Sequence, residues 1–264
     1  MTSYLDTHNH VGLTDLKEDL DDLGQKCREA GIRAGVITTG TVGDFERVSE
    51  IARKLHWGYC VGLHPLYIRE DYQADLQYLK EFLLAHLDDE HLVGIGEIGL
   101  DFYVKGLDRS NQEKAFEAQL QLAQVFNLAV SVHSRRALYR VMALMARYPK
   151  VQAALHAFSG SQEEMRQAIK RGYYVGFGGA MTYSGSKRVR QAAFVCPEDK
   201  ILLETDSPDM SPSFSETGHS SPLFLPRYLK ELALLRKVTP ELLGQRIFEN
   251  SLNAFPRMKK LIFR

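Results

Sequence analysis

A chain of 264 residues with 44% hydrophobic and 25% charged side chains has an ordinary globular make-up and is long enough to bury a substantial core. Its 33 Lys and Arg offset 33 Asp and Glu, for a formal net charge of +0. That balance excludes a global basic field for clamping long nucleic acid, although it leaves room for a local basic patch. The three cysteines, Cys27, Cys60 and Cys196, have no C-x-x-C spacing and read as buried thiols of a reducing compartment rather than a disulfide framework. No run approaches the ~18 apolar residues of a membrane span, and no basic-then-apolar leader precedes Asp6, so a cytoplasmic chain with no membrane attachment is expected.

Strand-like and helix-like segments alternate along the chain. Tyr4 to His8 is a first strand, and Leu16 to Ala30 carries Leu16, Leu20, Leu23 and Cys27 near helical period before Gly31 stops it. Strand Ala34 to Thr38 precedes helix Phe45 to Leu55, strand Gly58 to Leu63 precedes helix Leu76 to Leu87, and strand Leu92 to Glu97 precedes a helix from Ser110 to Phe126. Strands Leu128 to His133 and Val151 to His156 enclose helix Ala137 to Arg147, and helix Glu163 to Arg171 leads into strand Tyr173 to Phe177. The eighth strand, Ile201 to Thr205, is followed by a Ser- and Pro-rich loop, Ser207 to Pro222, and by helices Leu223 to Arg236 and Pro240 to Phe255. Short, β-branched, apolar strands at this repeat length predict an α/β protein, a closed (β/α)8 TIM barrel. With no linker or low-complexity stretch to divide it, residues 1–264 are expected to form a single barrel. An open doubly wound sheet is the alternative, but no Gly-x-Gly-x-x-Gly turn follows strand one.

The residues at the ends of these strands are metal-ligand types. His8 and His10 stand two apart on an extended segment and so share a face. Glu97, His133, His156 and Asp206 each follow an apolar run in a later unit. Such residues would converge at one end of a barrel, where barrel enzymes keep their chemistry. Six ligands exceed the need of one catalytic zinc, which takes about three protein ligands. The count fits two divalent ions bridged by Glu97, with His8, His10 and Asp206 on one and His133 and His156 on the other. Imidazole-rich ligation favours Zn, Mn, Fe or Co, while Mg remains open. Such a pair would acidify water for hydrolysis, with Asp206 as the base and Glu97 essential to the site.

In their order, Asp6-Thr7-His8-Asn9-His10, Gly62-Leu63-His64-Pro65, Gly94-Ile95-Gly96-Glu97-Ile98-Gly99-Leu100-Asp101, His133-Ser134-Arg135, His156-Ala157-Phe158-Ser159-Gly160 and Glu204-Thr205-Asp206-Ser207-Pro208 resemble the TatD family of metal-dependent deoxyribonucleases, within the amidohydrolase superfamily. The resemblance implies metal binding at His8, His10, Glu97, His133, His156 and Asp206. It also implies hydrolysis of DNA phosphodiester bonds, typically at a 3′ end. The chain departs from that pattern after Asp206, where an Arg-Gly stretch and an Asn-Glu-Pro tripeptide give way to Asp209 through Pro222. The Pro-Asp-Met opening is similar to a less-characterised branch described only as metal-dependent hydrolases.

The expected protein is therefore a monomeric nuclease with two divalent ions (Zn, Mn or Mg), acting on a DNA end or short oligonucleotide without an obligate protein partner. Hydrolysis of a small ester, lactone or amide is the enzymatic alternative, and a non-catalytic metal scaffold the other. His64 and Arg135 are the candidate substrate contacts, the latter through bidentate pairing with phosphate. Glu204 and Asp6, each two residues before a ligand position, are candidate orienting groups. Asp101 and Tyr103 lie in a loop near the site, and Gly176, Gly178 and Gly179 leave open a phosphate cradle or a close backbone approach. His56, His86 and His91 read as structural.

Overall fold

The computed structural model describes residues 2–14 and 19–263; Leu16, where the sequence pattern starts its first helix, lies outside them. Eight strands, β1 (Tyr4–Asn9), β2 (Ile32–Thr38), β3 (Gly58–Val61), β4 (Leu92–Asp101), β5 (Ala129–Arg135), β6 (Ala153–Leu155), β7 (Tyr174–Phe177) and β8 (Ile201–Leu203), form one sheet in sequence order. Every neighbouring pair from β1–β2 to β7–β8 is parallel. Strands covered on both faces must be apolar throughout, and the interior residues Ile37, Tyr59, Ile95, Val130, Val175 and Leu202 are all buried.

The first and last strands meet through a seam of hydrogen bonds that brings the sheet close to a full barrel. Asp206 N donates to His8 O at 2.9 Å and His10 N donates to Ser207 O at 2.7 Å. Below them the buried Asp6 carboxylate accepts from Thr205 N at 2.9 Å and Thr205 Oγ1 at 2.5 Å, and Thr7 Oγ1 donates to Leu203 O at 3.0 Å. The side chains of Asp6 and Thr205 thus complete what the backbone ladder leaves unpaired, and they fix His8, His10 and Asp206 against one another.

Helices α1 (Leu20–Glu29), α2 (Phe45–Leu55), α3 (Tyr72–His86), α4 (Arg109–Phe126), α5 (Leu138–Met145), α6 (Gln162–Lys170), α7 (Lys187–Val195), α8 (Leu225–Arg236), α9 (Pro240–Ala254) and α10 (Met258–Ile262) cover the outside. Local chemistry sets several boundaries. Asp19 and Asp108 cap α1 and α4, and Ser161 with Glu164 forms a reciprocal capping box at α6. Helix α3 begins four residues before the apolar pattern predicts, and β4 and β5 run past Glu97 and His133 to Asp101 and Arg135. Helix α7 has no counterpart in the predicted elements. It buries only Ala192 and Ala193, side chains too small to register as an apolar stripe. No helix among the described residues is long and apolar enough to cross a membrane.

The seam makes a direct prediction. Asp6→Ala leaves the buried Thr205 N–H without its acceptor and should cost roughly 1–3 kcal/mol, lowering Tm by about 2–4 °C for each kcal/mol. Thermal melting of the metal-stripped protein checks this; an unchanged Tm would show that the seam does not depend on Asp6.

Candidate metal centre

At the C-terminal ends of the strands, six of the ligand-type residues surround one carboxylate. Glu97, 4% exposed, is held at its backbone by Thr39, whose carbonyl accepts Glu97 N at 2.7 Å. Its two oxygens face different partners. Oε2 lies 3.3 Å from His8 Nε2 and 3.5 Å from His10 Nε2, and these nitrogens stand 3.4 and 3.3 Å from Asp206 Oδ1. Oε1 lies 2.9 Å from His133 Nδ1, 2.7 Å from His156 Nε2 and 3.3 Å from His64 Nε2.

These lengths test whether a metal fits. Four ligands around zinc at about 2.1 Å leave neighbouring donor atoms about 3.4 Å apart. The four contacts among His8, His10, Glu97 and Asp206 run from 3.3 to 3.5 Å, the spacing of neighbouring donors around such an ion and longer than most charge-assisted hydrogen bonds. The other half is drawn tighter, with His133 Nδ1 and His156 Nε2 themselves 3.4 Å apart. Ligand-type atoms of His8, Glu97 and His156, of His8, His10 and Asp206, and of His64, Glu97 and His133 each gather within 4.8 Å. The residues present fit divalent metal.

Hydrogen bonds decide which imidazole nitrogens keep a lone pair for an ion. His10 Nδ1 donates to Thr38 O at 2.9 Å, so its Nε2 faces the carboxylates as an acceptor once the ring is neutral. His8 Nδ1 meets Ser131 Oγ at 2.7 Å, again leaving Nε2 for the cluster. His133 Nε2 meets Asp101 Oδ2 at 3.3 Å, which turns Nδ1 toward Glu97. His64 is the reverse: its Nδ1 accepts Leu66 N at 3.2 Å, so the proton of the neutral ring sits on Nε2. His64 is thus a hydrogen-bond donor aimed into the site rather than a ligand, despite its place near Glu97.

Electrostatics sharpens this division. Burial opposes charge on His10 and His156, but the hydrogen bond and charge of Asp206 lift His10 to about 9, and the Glu97 carboxylate lifts His156 to about 10. Burial and the neighbouring His156 charge push His8 down to about 4, and burial lowers His64. Burial also opposes charge on Glu97 and Asp206. The imidazoles around Glu97 hold it well below the ordinary carboxylate range, and the His10 hydrogen bond with nearby histidine charges holds Asp206 down as well. With no cation, protons on the rings supply the positive charge that the carboxylates require.

The neighbours fall into place around this core. Asp101, 1% exposed, steadies His133 and accepts the loop N–H groups of Tyr103 and Val104 at 2.8 and 3.1 Å. Its role is hard to read in advance because the strand runs four residues beyond Glu97. Glu204 accepts Ala157 N at 2.5 Å and stands 3.9 Å from His156 Nδ1; burial pushes its carboxyl up to about 8. Gly176 and Gly178 make room for Glu204, since a Cβ at Gly176 would sit 2.1 Å from its Oε2 and one at Gly178 2.7 Å from its carbonyl. The glycine run is therefore a close packing approach, not a phosphate cradle. Arg135 stands exposed at the end of β5 with its guanidinium 3.8 Å over the Tyr103 ring. His56 ends α2 in a left-handed conformation, while His86 and His91 bond backbone carbonyls through Nδ1 away from the site.

The cleft over the ligands has a volume of about 560 Å³ and is bounded by His10, His64, Arg135, Asp206, Asp209 and Met210 among others. Asp209, in the loop after β8, is a further carboxylate lining the cleft; burial and the Asp206 charge raise its pKa. Its only sequence signal is its place three residues after Asp206.

A parallel eight-stranded barrel with such a pocket at its C-terminal strand ends is the architecture of a metal-dependent hydrolase. The family described as TatD related DNase matches residues 5–256, and the chain belongs to it. It is 32% identical over 262 residues to an uncharacterized metal-dependent hydrolase of Haemophilus influenzae, covering 96% of this chain and 99% of that one. It is 31% identical over 253 residues to the 3′-5′ ssDNA/RNA exonuclease TatD of a Pantoea species, covering 92% and 95%. The crystal structure of the TatD homolog YjjV from Escherichia coli K12 superposes with a TM-score of 0.90 at 27% identity, covering 96% of this chain and 98% of that one.

Coordination requires neutral imidazole, whereas His10 and His156, raised to about 9 and about 10, carry protons at pH 7. Metal loading at pH 7 should therefore release protons, and apparent affinity should rise with pH toward those values, by up to about tenfold per pH unit for each proton displaced. Titration calorimetry in buffers of different ionisation enthalpy measures the release. Proton-neutral binding would contradict the charge assignment.

Proposed function

We propose that the chain is a two-metal nuclease that hydrolyses phosphodiester bonds at the 3′ end of DNA or of a short oligonucleotide. The division of Glu97 carries this reading, with Oε2 toward His8, His10 and Asp206 and Oε1 toward His133 and His156. In this reading His8, His10, Asp206 and Glu97 would hold one ion, and His133, His156 and Glu97 the second, as Zn, Mn or Mg. Bound there, such ions would acidify water from a pKa of 15.7 to about 7 and draw charge from a phosphate oxygen.

The chain's own groups supply the rest. Asp206 stays ionised and lines the cleft, so it can take the proton of the attacking water. His64 offers its Nε2–H to a phosphate oxygen, and Arg135 at the rim offers a paired donor edge. Asp101 keeps the His133 ring in place, and Glu204 holds the backbone turn after His156 through the Ala157 N–H. The relatives named as exonucleases on ssDNA/RNA and as deoxyribonucleases support a nucleic-acid substrate. The balanced net charge favours a strand end over a long duplex. We further propose that residues 1–264 act as one unit, a monomer needing no protein partner, since every candidate ligand comes from one chain. Three buried cysteines agree with a cytoplasmic setting.

In assays of the Mn-loaded protein on single-stranded DNA, Glu97→Ala and Asp206→Ala should each lower kcat by about 10²–10⁴ or more while the barrel still folds. Retained turnover in either folded variant would reject the assignment. Arg135→Ala should raise KM about tenfold with a much smaller effect on kcat. Turnover confined to small esters, lactones or amides in a parallel panel would reject the nuclease reading, and full metal loading without any turnover would favour a scaffold.

A further inference from the structure

A second cavity, of about 590 Å³, adjoins the metal cleft and shares Ser134, Arg135, His156 and Ser159 with it. Its walls combine cations with flat rings. Tyr103, 46% exposed, lies under two guanidinium groups, those of Arg135 at 3.8 Å and Arg136 at 4.6 Å. Arg188 lines the same cavity, and Tyr139 at its edge is 79% exposed. Arg140 is held by Glu113 at 2.8 and 2.6 Å, and Glu164 is turned into the α6 capping box by Ser161. Arg135, Arg136 and Arg188 have no ion pair among the described residues, so three cations are left facing the cavity. The backbone at Arg136 is left-handed, φ 55°, which sets its side chain beside Arg135 over the same ring.

Another cavity adjoining the cleft differs. Of about 520 Å³, it is lined by Leu63, Leu66, Tyr67, Ile68 and Leu107, and its one arginine, Arg69, is paired with Asp71 and Asp75. A polyanion approaching the metal ligands thus meets uncommitted arginines in the cavity around Tyr103 and none in this one.

We propose that the cavity around Tyr103 is the track for the body of a single-stranded nucleic acid whose terminal phosphodiester reaches Glu97 and Asp206. This rests on the nuclease reading above and adds the path of the strand. A base next to the scissile linkage takes the place over the Tyr103 ring that the Arg135 and Arg136 guanidinium groups hold in the free protein, and Arg136, so released, joins Arg188 in contacting the following phosphates. Every base has a π-face, so the track accepts any sequence. Its aromatic floor requires unpaired bases, so it selects single strands over duplex ends. A small phosphodiester fills the metal cleft alone and does not reach Arg136.

Two measurements on Tyr103→Ala and Arg136→Ala test this. The first is binding of an all-phosphorothioate dT8, which resists cleavage, to the Mn-loaded protein by fluorescence anisotropy. Tyr103→Ala should weaken binding roughly tenfold or more, with Tyr103→Phe restoring it. Arg136→Ala should flatten the log–log salt slope by about 0.7. The second is the ratio of kcat/KM on dT8 to that on thymidine 5′-(4-nitrophenyl phosphate), which should fall by a similar factor in both alanine variants. Binding and ratio at wild-type values, or equal losses on both substrates, would overturn the track. Tyr103-dependent binding in a metal-loaded protein that cleaves neither substrate would sustain the track and reject the nuclease reading instead.

Discussion

The site depends on one buried carboxylate shared between two groups of imidazoles. A lone charge at Glu97, 4% exposed and deep in a barrel mouth, would be too costly to keep without compensation. His10, His133 and His156 provide it from just past β1, from β5 and from just past β6, so that the ends of distant strands are tied to a single side chain. The compensation can come as protons or as metal ions, and the donor spacing on the His8–His10–Asp206 side already suits the latter. Binding and protonation therefore compete for the same lone pairs.

Around that centre the fold distributes charge unevenly. Asp6 and Glu204 are buried carboxyls within two residues of ligand positions, yet burial raises them to about 7 and about 8. Asp206, close to both, is held low by His10 and stays charged. Negative charge is thus concentrated on the groups that face the cleft, while those behind them hold the barrel seam and the turn after His156. Asp206 itself adopts a left-handed backbone, φ 52°, pinned by the bond from its N–H to His8 O. The same link closes the sheet and sets the distance between Asp206 and the histidines, so stability and site geometry share it.

Much of this was legible in the amino-acid order because parallel barrel strands impose a rule: an apolar run ends where the chemistry begins. His8, His10, Glu97, His133, His156 and Asp206 all stand at that punctuation, and the structure gathers them. What depends on hydrogen-bond direction was not legible. His64 lies as near Glu97 as several ligand candidates, and only the Leu66 N–H on its Nδ1 marks it as a donor. Asp101 and Asp209 reach the site through a strand extension and a loop path that no periodicity reveals. Helix α7 stayed hidden because alanines pack against the barrel without an apolar stripe. The pairing of Tyr103 with Arg135 and Arg136 joins residues more than thirty positions apart, a loop on one side and the end of β5 on the other, with no regular pattern.

The most direct test is an anomalous difference map from crystals of the protein equilibrated with Mn²⁺. Two peaks about 3.5–4 Å apart, one on each side of Glu97 and flanked by His8, His10 and Asp206 on one hand and His133 and His156 on the other, are the expected result. A single peak, or two that leave Glu97 outside their shared coordination, would contradict the bridging carboxylate on which the mechanism stands.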